Sequence, residues 1–245
     1  MKLTVIGFWG AYPGANEATS AYFIEEEETR ILLDCGSGAV ARLQNHIDLS
    51  TLTAAVLTHY HHDHIADIGV LQYSRVVDMN LQRTAEPLKI YGHGDDQPAF
   101  QQLGKKPFAD AFTYSTTEPL GIGSLTCSFH PTVHGAPCYA VKVRSRNGKV
   151  LVYTGDTIYD EKLLPFISNS DLLITEASFY ADQDASPYGH MTSREAALLA
   201  QRGNVRALLL SHLPHFGDHR QLLSEAKRYF DGETMLAASD LHIDL

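Results

Sequence analysis

Between His59 and His64 the chain sets four imidazoles and a carboxylate within six residues, in the run Thr58-His59-Tyr60-His61-His62-Asp63-His64. Imidazole nitrogen and carboxylate oxygen suit zinc, which needs about three or four such ligands. His59 and His61 lie two residues apart, so an extended backbone points both to one side. Asp63 and His64 come where the chain turns into a helix and can face a second point nearby. The segment can thus offer two imidazoles to one cation, and a carboxylate with an imidazole to another. The plainer alternative is a His-rich surface turn with no bound metal.

Such a loop needs a rigid support, and the preceding apolar run, Ala54 to Leu57, has the composition of a buried strand in a parallel sheet. Three further strands end in ligand-type residues. His134 follows the strand Leu125–His130, Asp156 follows Val150–Tyr153, and His212 follows Arg206–Leu210. Asp34 closes the strand Thr29–Leu33 ahead of Gly36 and Gly38, which permit a tight turn into a helix over 39–46. Taken alone, Asp34 could be a helix cap. His46, His93, His130, His215, His219 and His242 stand outside these positions, and of them His215 is near enough to His212 to line a cleft.

The remaining pattern alternates strands and helices. Strands are predicted over 2–8, 20–25, 88–91, 111–114, 138–143, 171–174 and 234–237. Helices are predicted over 65–78, 192–202 and 219–230. Thr192 or Ser193 caps the second, with Glu195 placed for a capping box. Asn147-Gly148 marks a hairpin turn, and Glu25 to Glu28 reads as a solvated turn. No repeat or linker interrupts the 245 residues, so a single domain over 1–245 is expected.

Hydrophobic residues make up 44% and charged ones 20%, which fits a soluble globular protein. The net charge of -10 argues against a broad nucleic-acid or anionic-membrane surface. Cys35, Cys127 and Cys138 have no CxxC spacing and read as reduced, buried thiols of a cytoplasmic protein. The N-terminus has no signal-peptide pattern and no apolar run is long enough to span a membrane.

His59-x-His61-x-Asp63-His64 resembles the signature of the metallo-β-lactamase superfamily. That resemblance implies a four-layer αββα sandwich of two mixed β-sheets with two metals at one edge. It also implies the ligand sets. His59, His61, His134 and Asp156 would hold one ion, and Asp63, His64, Asp156 and His212 the other, with Asp156 shared. Asp34 matches an aspartate that supports the metal loop. His61 stands where the flavodiiron branch has Glu, which favours two zinc ions over a redox iron pair and leaves manganese as the second candidate. Paired divalent ions about 3.5–4 Å apart activate water and bind a phosphoryl or carbonyl oxygen.

Two further segments resemble the ribonuclease Z branch: Ile174-Thr175-Glu176-Ala177-Ser178-Phe179 and Gly189-His190-Met191-Thr192. The resemblance makes Glu176 and His190 catalytic together with Asp63. Glu176 orients His190, which acts at the scissile phosphate as a proton donor or oxyanion stabiliser. By themselves, a Glu and a His at element ends read as structural. The chain departs from that branch at Thr175, where a His is usual. It also has only the short hairpin Lys142–Lys149 where ribonuclease Z carries a long arm that clamps transfer RNA. Lys142, Arg144, Arg146 and Lys149 there read as a solvated basic cluster. The expectation is a cytoplasmic dizinc phosphodiesterase for a small or single-stranded phosphodiester, such as a cyclic nucleotide or an RNA end. Its rivals are a zinc hydrolase of thioesters, lactones or β-lactams, and a non-catalytic metal-bound sensor. Analogy to the branch suggests a homodimer.

Overall fold

A computed structural model describes all residues, 1–245. One seven-stranded sheet contains β1 (Lys2–Gly7), β2 (Ala21–Glu26), β3 (Thr29–Leu33), β4 (Ala54–Val56), β5 (Leu88–Gly92) and β6 (Ala109–Thr113). The other contains β7 (Leu120–Ile122), β8 (Leu125–Pro131), β9 (Tyr139–Ser145), β10 (Val150–Tyr153), β11 (Leu172–Glu176), β12 (Ala207–Ser211) and β13 (Glu233–Leu236). The last strand, β14 (His242–Asp244), returns to the first sheet beside β1. Both sheets are mixed. β1, β2 and β3 pair antiparallel and β3 to β6 parallel, while β7 to β10 pair antiparallel and β10 to β13 parallel.

The period of two along the strands divides the interior into layers. Leu3, Val5, Tyr22, Ile24, Ile31 and Leu33 face the second sheet and pack with Val141, Val143, Leu151 and Tyr153. Ile6, Phe23 and Leu32 face the other way, into a separate cluster with Leu43, Ile68 and Leu71. These last belong to α1 (Ala39–Leu43) and α3 (Ile68–Asn80), which follow or flank α2 (His62–Ile65). A short α4 (Gln97–Gln101) precedes β6, and α5 (Leu164–Ile167), α6 (Ser193–Arg202) and α7 (His219–Ala226) follow β10, β11 and β12. β11 and β12 are buried at every residue, as parallel strands covered on both faces should be. The outcome is the αββα sandwich with helices outside two facing sheets.

Thr192 caps α6 through a full capping box with Glu195. The helix expected over 65–78 is present as α3, starting three residues later at Ile68, with Ile65 ending the separate short α2. Asp67 sits at the break, donating its N–H to the Cys35 carbonyl and accepting from the Val40 N–H. β7, β14 and α5 were not expected; each has three or four residues, too few for periodicity to register. All three cysteines are free and buried. No helix is long and apolar enough to cross a membrane.

The parallel strands of both sheets run toward one rim. β3, β4, β10, β11 and β12 all end there, where open α/β sheets present their ligand-binding loops.

Candidate metal centre

That rim gathers the histidines and carboxylates. His59, His61, His134 and Asp156 bring one ligand atom each within 4.8 Å of one another, and so do Asp63, His64 and His212. Asp156 lies between the groups. Its Oδ2 is 3.6 Å from His59 Nε2, 3.7 Å from His134 Nε2 and 3.4 Å from His212 Nε2, while its Oδ1 is 3.3 Å from His64 Nε2. His134 Nε2 and His61 Nδ1 are 3.1 Å apart. Asp63 Oδ2 is 3.2 Å from His212 Nε2 and 3.8 Å from His64 Nε2. A tetrahedral zinc with bonds of about 2.0–2.1 Å places its ligand atoms about 3.3–3.4 Å from each other. The observed spacings bracket that edge length, so the donor set fits two such ions sharing Asp156.

The backs of the rings are tied, which fixes what the fronts can do. His64 Nδ1 is 2.7 Å from Asp34 Oδ2, and His59 Nδ1 is 3.0 Å from Thr58 Oγ1. His134 Nδ1–H donates to the Gly189 carbonyl at 2.9 Å, and His212 Nδ1 meets Ser178 Oγ at 2.8 Å. A proton held on Nδ1 leaves the Nε2 lone pair pointing into the cluster, as metal-bound histidines require. His59 Nε2, His64 Nε2 and Asp156 Oδ1 are buried and have no hydrogen-bond partner. Buried polar atoms without partners are costly, and a cation at each point would satisfy them.

Electrostatics agree. Burial pushes the Asp156 carboxyl up, but the charges of His212 and His64 outweigh it and hold it well below the carboxylate range. Asp63 follows the same pattern, with burial overcome by the His212 hydrogen bond and by His64. Burial lowers the His64 pKa, yet Asp156 and Asp34 raise it well above the ordinary value. His212 is raised likewise, by Asp156 and Asp63 against burial. Protons on these rings answer the same negative potential that divalent cations would.

Asp34 is no helix cap, since Gly38 takes that place before α1. Its carboxylate accepts from the Thr58 N–H at 2.8 Å, the Thr58 hydroxyl at 2.8 Å and the Tyr153 hydroxyl at 3.0 Å, besides His64. One buried acid therefore clamps the start of the metal loop to a strand of the other sheet. Gly189 has φ +78°, and a Cβ there would lie 2.8 Å from His134 Nδ1, so only glycine lets this carbonyl reach the ring.

Glu176 ends β11 and His190 precedes α6, and the fold joins them. His190 Nδ1 is 2.9 Å from Glu176 Oε2 and 3.1 Å from Oε1. The His190 ring centroid is 5.2 Å from those of both His134 and His212. Burial lowers the His190 pKa, but the charge and hydrogen bond of Glu176 prevail and raise it to about 9. Cations seated alongside would pull it back down. His190 also comes within 4.8 Å of Asp156 and His212 as a third group able to hold a metal.

Some contributors had no sequence signal. Ser178 lies in a segment singled out for Glu176, yet nothing in its type marks it as the link to His212. The Ala11 N–H donates to Asp63 Oδ2 at 2.8 Å from a Gly/Pro-rich loop distant in sequence. Beside His190 and His212 a cleft of about 390 Å³ is walled by Phe179, Tyr188 and Phe216, and His215 lines it as well.

A family model described as the Beta-lactamase superfamily domain matches residues 29–213. The chain is 44% identical over 239 residues to the probable metallo-hydrolase YhfI of Bacillus subtilis, covering 98% of each protein. The crystal structure of that Bacillus subtilis protein superposes with a TM-score of 0.97 at 42% identity, over 99% of this chain and 98% of the other. A ribonuclease Z of Natronomonas pharaonis is 25% identical over 311 residues, covering all of this chain and 98% of that protein. By sequence and by fold, the chain belongs to the β-lactamase superfamily.

Proposed function

We propose that the protein is a dizinc hydrolase of small or single-stranded phosphodiesters. The relatives' names, a probable metallo-hydrolase and a ribonuclease Z, support hydrolysis in general. The observation that carries the phosphodiester reading is the Glu176–His190 pair, set 2.9 Å apart against the ligand cluster. His59, His61, His134 and Asp156 would hold one ion, and Asp63, His64, Asp156 and His212 the other. Two divalent ions there supply Lewis acidity and a water of lowered pKa.

The rest falls to the chain's own groups. Glu176 accepts the Nδ1–H of His190, which leaves Nε2 to carry the mobile proton. The same carboxylate also accepts the Thr157 N–H at 2.6 Å and the Met191 N–H at 3.1 Å, so it is fixed and the ring with it. His190 then protonates the departing oxygen of the diester, a role that needs a positioned, protonated imidazole. Asp63, held by Ala11, keeps its carboxylate on the side of His212 and contributes to the same half of the site.

A carboxylic hydrolase would share the ligand cluster but leave this pair unused, and a metal-bound sensor would hold its metal at the cluster without turnover. A panel of bis-p-nitrophenyl phosphate, a thioester and nitrocefin, run with zinc and with manganese, separates them. Turnover of the diester alone supports the proposal. Turnover of only the thioester or nitrocefin, or of none, overturns it.

A further inference from the structure

The cleft beside His190 has a composition unlike the rest of the rim. Phe179 and Tyr188 stack with centroids 5.4 Å apart at 19°, and Phe216 meets Phe179 edge-on at 6.3 Å. Tyr188 is 67% and Phe216 47% exposed, although large apolar side chains gain nothing from water. The cleft volume of about 390 Å³ lies within the roughly 300–1,000 Å³ of small-molecule sites. Its inner end is formed by His190 and His212, so an occupant would be continuous with a group held at the ligand cluster.

No Lys or Arg lines the cleft, so a further phosphate would enter it without a counter-charge. A neutral flat ring suits it better. His215 adds a polar edge. Its Nε2 lies 2.6 Å from the Tyr12 carbonyl and so donates there, which leaves Nδ1 as an acceptor. The ring is held rigid between Tyr12, at 3.6 Å and 2°, and Trp9, at 4.4 Å and 11°. Aromatic faces with one in-plane acceptor match a nucleobase rather than a hydrocarbon ring.

We infer that this cleft is a base-binding subsite, so that the diester handled at the cluster is a nucleoside phosphodiester. The inference rests on the phosphodiesterase reading and narrows it. The base packs in the corner that Phe216, Tyr188 and Phe179 form, face-on to one plane and edge-on to the other, since Phe216 stands at 65° to Phe179, and His215 accepts a hydrogen bond from its edge. Stacking of one base on aromatic side chains is worth about 5- to 150-fold in affinity.

Trp9 is the single tryptophan and stacks on His215, which lines the cleft, so its emission reports on the cleft through that ring. The test titrates zinc-loaded protein with adenosine 5′-monophosphate and with ribose 5-phosphate, exciting at the red edge of tryptophan absorption. The nucleotide should bind about 5- to 150-fold more tightly. Phe216→Ala and Tyr188→Ala, both at exposed positions, should shrink that ratio and leave the ribose 5-phosphate affinity unchanged. Equal affinities for the two phosphates, or variants that weaken both alike, would overturn the subsite. Hydrolysis of bis-p-nitrophenyl phosphate by the same preparation keeps the two claims apart. Turnover without a base preference removes only the subsite. A base preference without turnover of any diester removes the phosphodiesterase reading and supports the subsite.

Discussion

The Ser178 hydroxyl lies 2.8 Å from His212 Nδ1 and 2.8 Å from Glu176 Oε2. One oxygen thus connects the ring that completes the ligand cluster with the carboxylate that holds His190. With Nδ1–H of His212 donating to Ser178 and the Ser178 O–H donating to Glu176, both partners keep the protonation state their roles need.

Ser178→Ala should therefore loosen His212 without removing it. Loss of such an outer support costs about 10- to 100-fold in metal affinity. Competition against a chromophoric chelator measures it. Unchanged affinity would show that the hydroxyl only fills space.

The protein should take up two divalent ions per chain. Elemental analysis after chelation and metal return should approach two equivalents, and Asp156→Ala should lose the most, since that carboxylate faces both groups. Saturation of the native chain at one equivalent would refute the shared-ligand arrangement.

Much of this candidate centre was legible in the sequence because several of its residues stand at or just after the end of a strand that itself reads clearly, while His61, Asp63 and His64 follow in the loop and short α2. His59, Asp156 and His212 follow β4, β10 and β12, and Glu176 ends β11, all strands whose apolar runs are unmistakable. What was illegible came from pairings set by tertiary distance. Nothing local marks Ser178, Tyr153 or Ala11 as contributors, because their partners lie 34, 119 and 52 residues away. The aromatic cleft escaped for the same reason. Phe179 and Tyr188, from the connection between β11 and α6, and Phe216, from that between β12 and α7, are ordinary residues until the fold brings them together.

Processing of precursor transfer RNA should be weak. The hairpin between β9 and β10 is a four-residue turn with no arm, and its cations are largely engaged locally. Arg146 pairs with Glu27 at 3.1 Å, Lys149 with Asp171 at 3.2 Å, and Lys142 lies 4.5 Å over Phe166. Affinity for nucleic acid follows the number of phosphates neutralised, and the net charge is -10. Efficient cleavage of a precursor in a gel assay would contradict this.

The protein should be a homodimer. Val70, Tyr73, Val77 and Leu81 are each more than half exposed and recur along one side of α3 and its end. Such a stripe can pair with its own copy about a two-fold axis. Light scattering should give twice 27.1 kDa, and Val77→Glu should halve it. A native mass of one chain would exclude the dimer.

The central claim is that His190, held by Glu176, gives a proton to the leaving oxygen of a phosphodiester. It is tested most directly by comparing His190→Ala with the native enzyme on two diesters that differ in leaving group. The loss should be about 10²–10⁴-fold on a dinucleoside monophosphate, the range of general acid catalysis. It should be far smaller on bis-p-nitrophenyl phosphate, whose leaving oxygen hardly needs a proton. Equal losses on both substrates would contradict the claim and leave His190 as a binding residue.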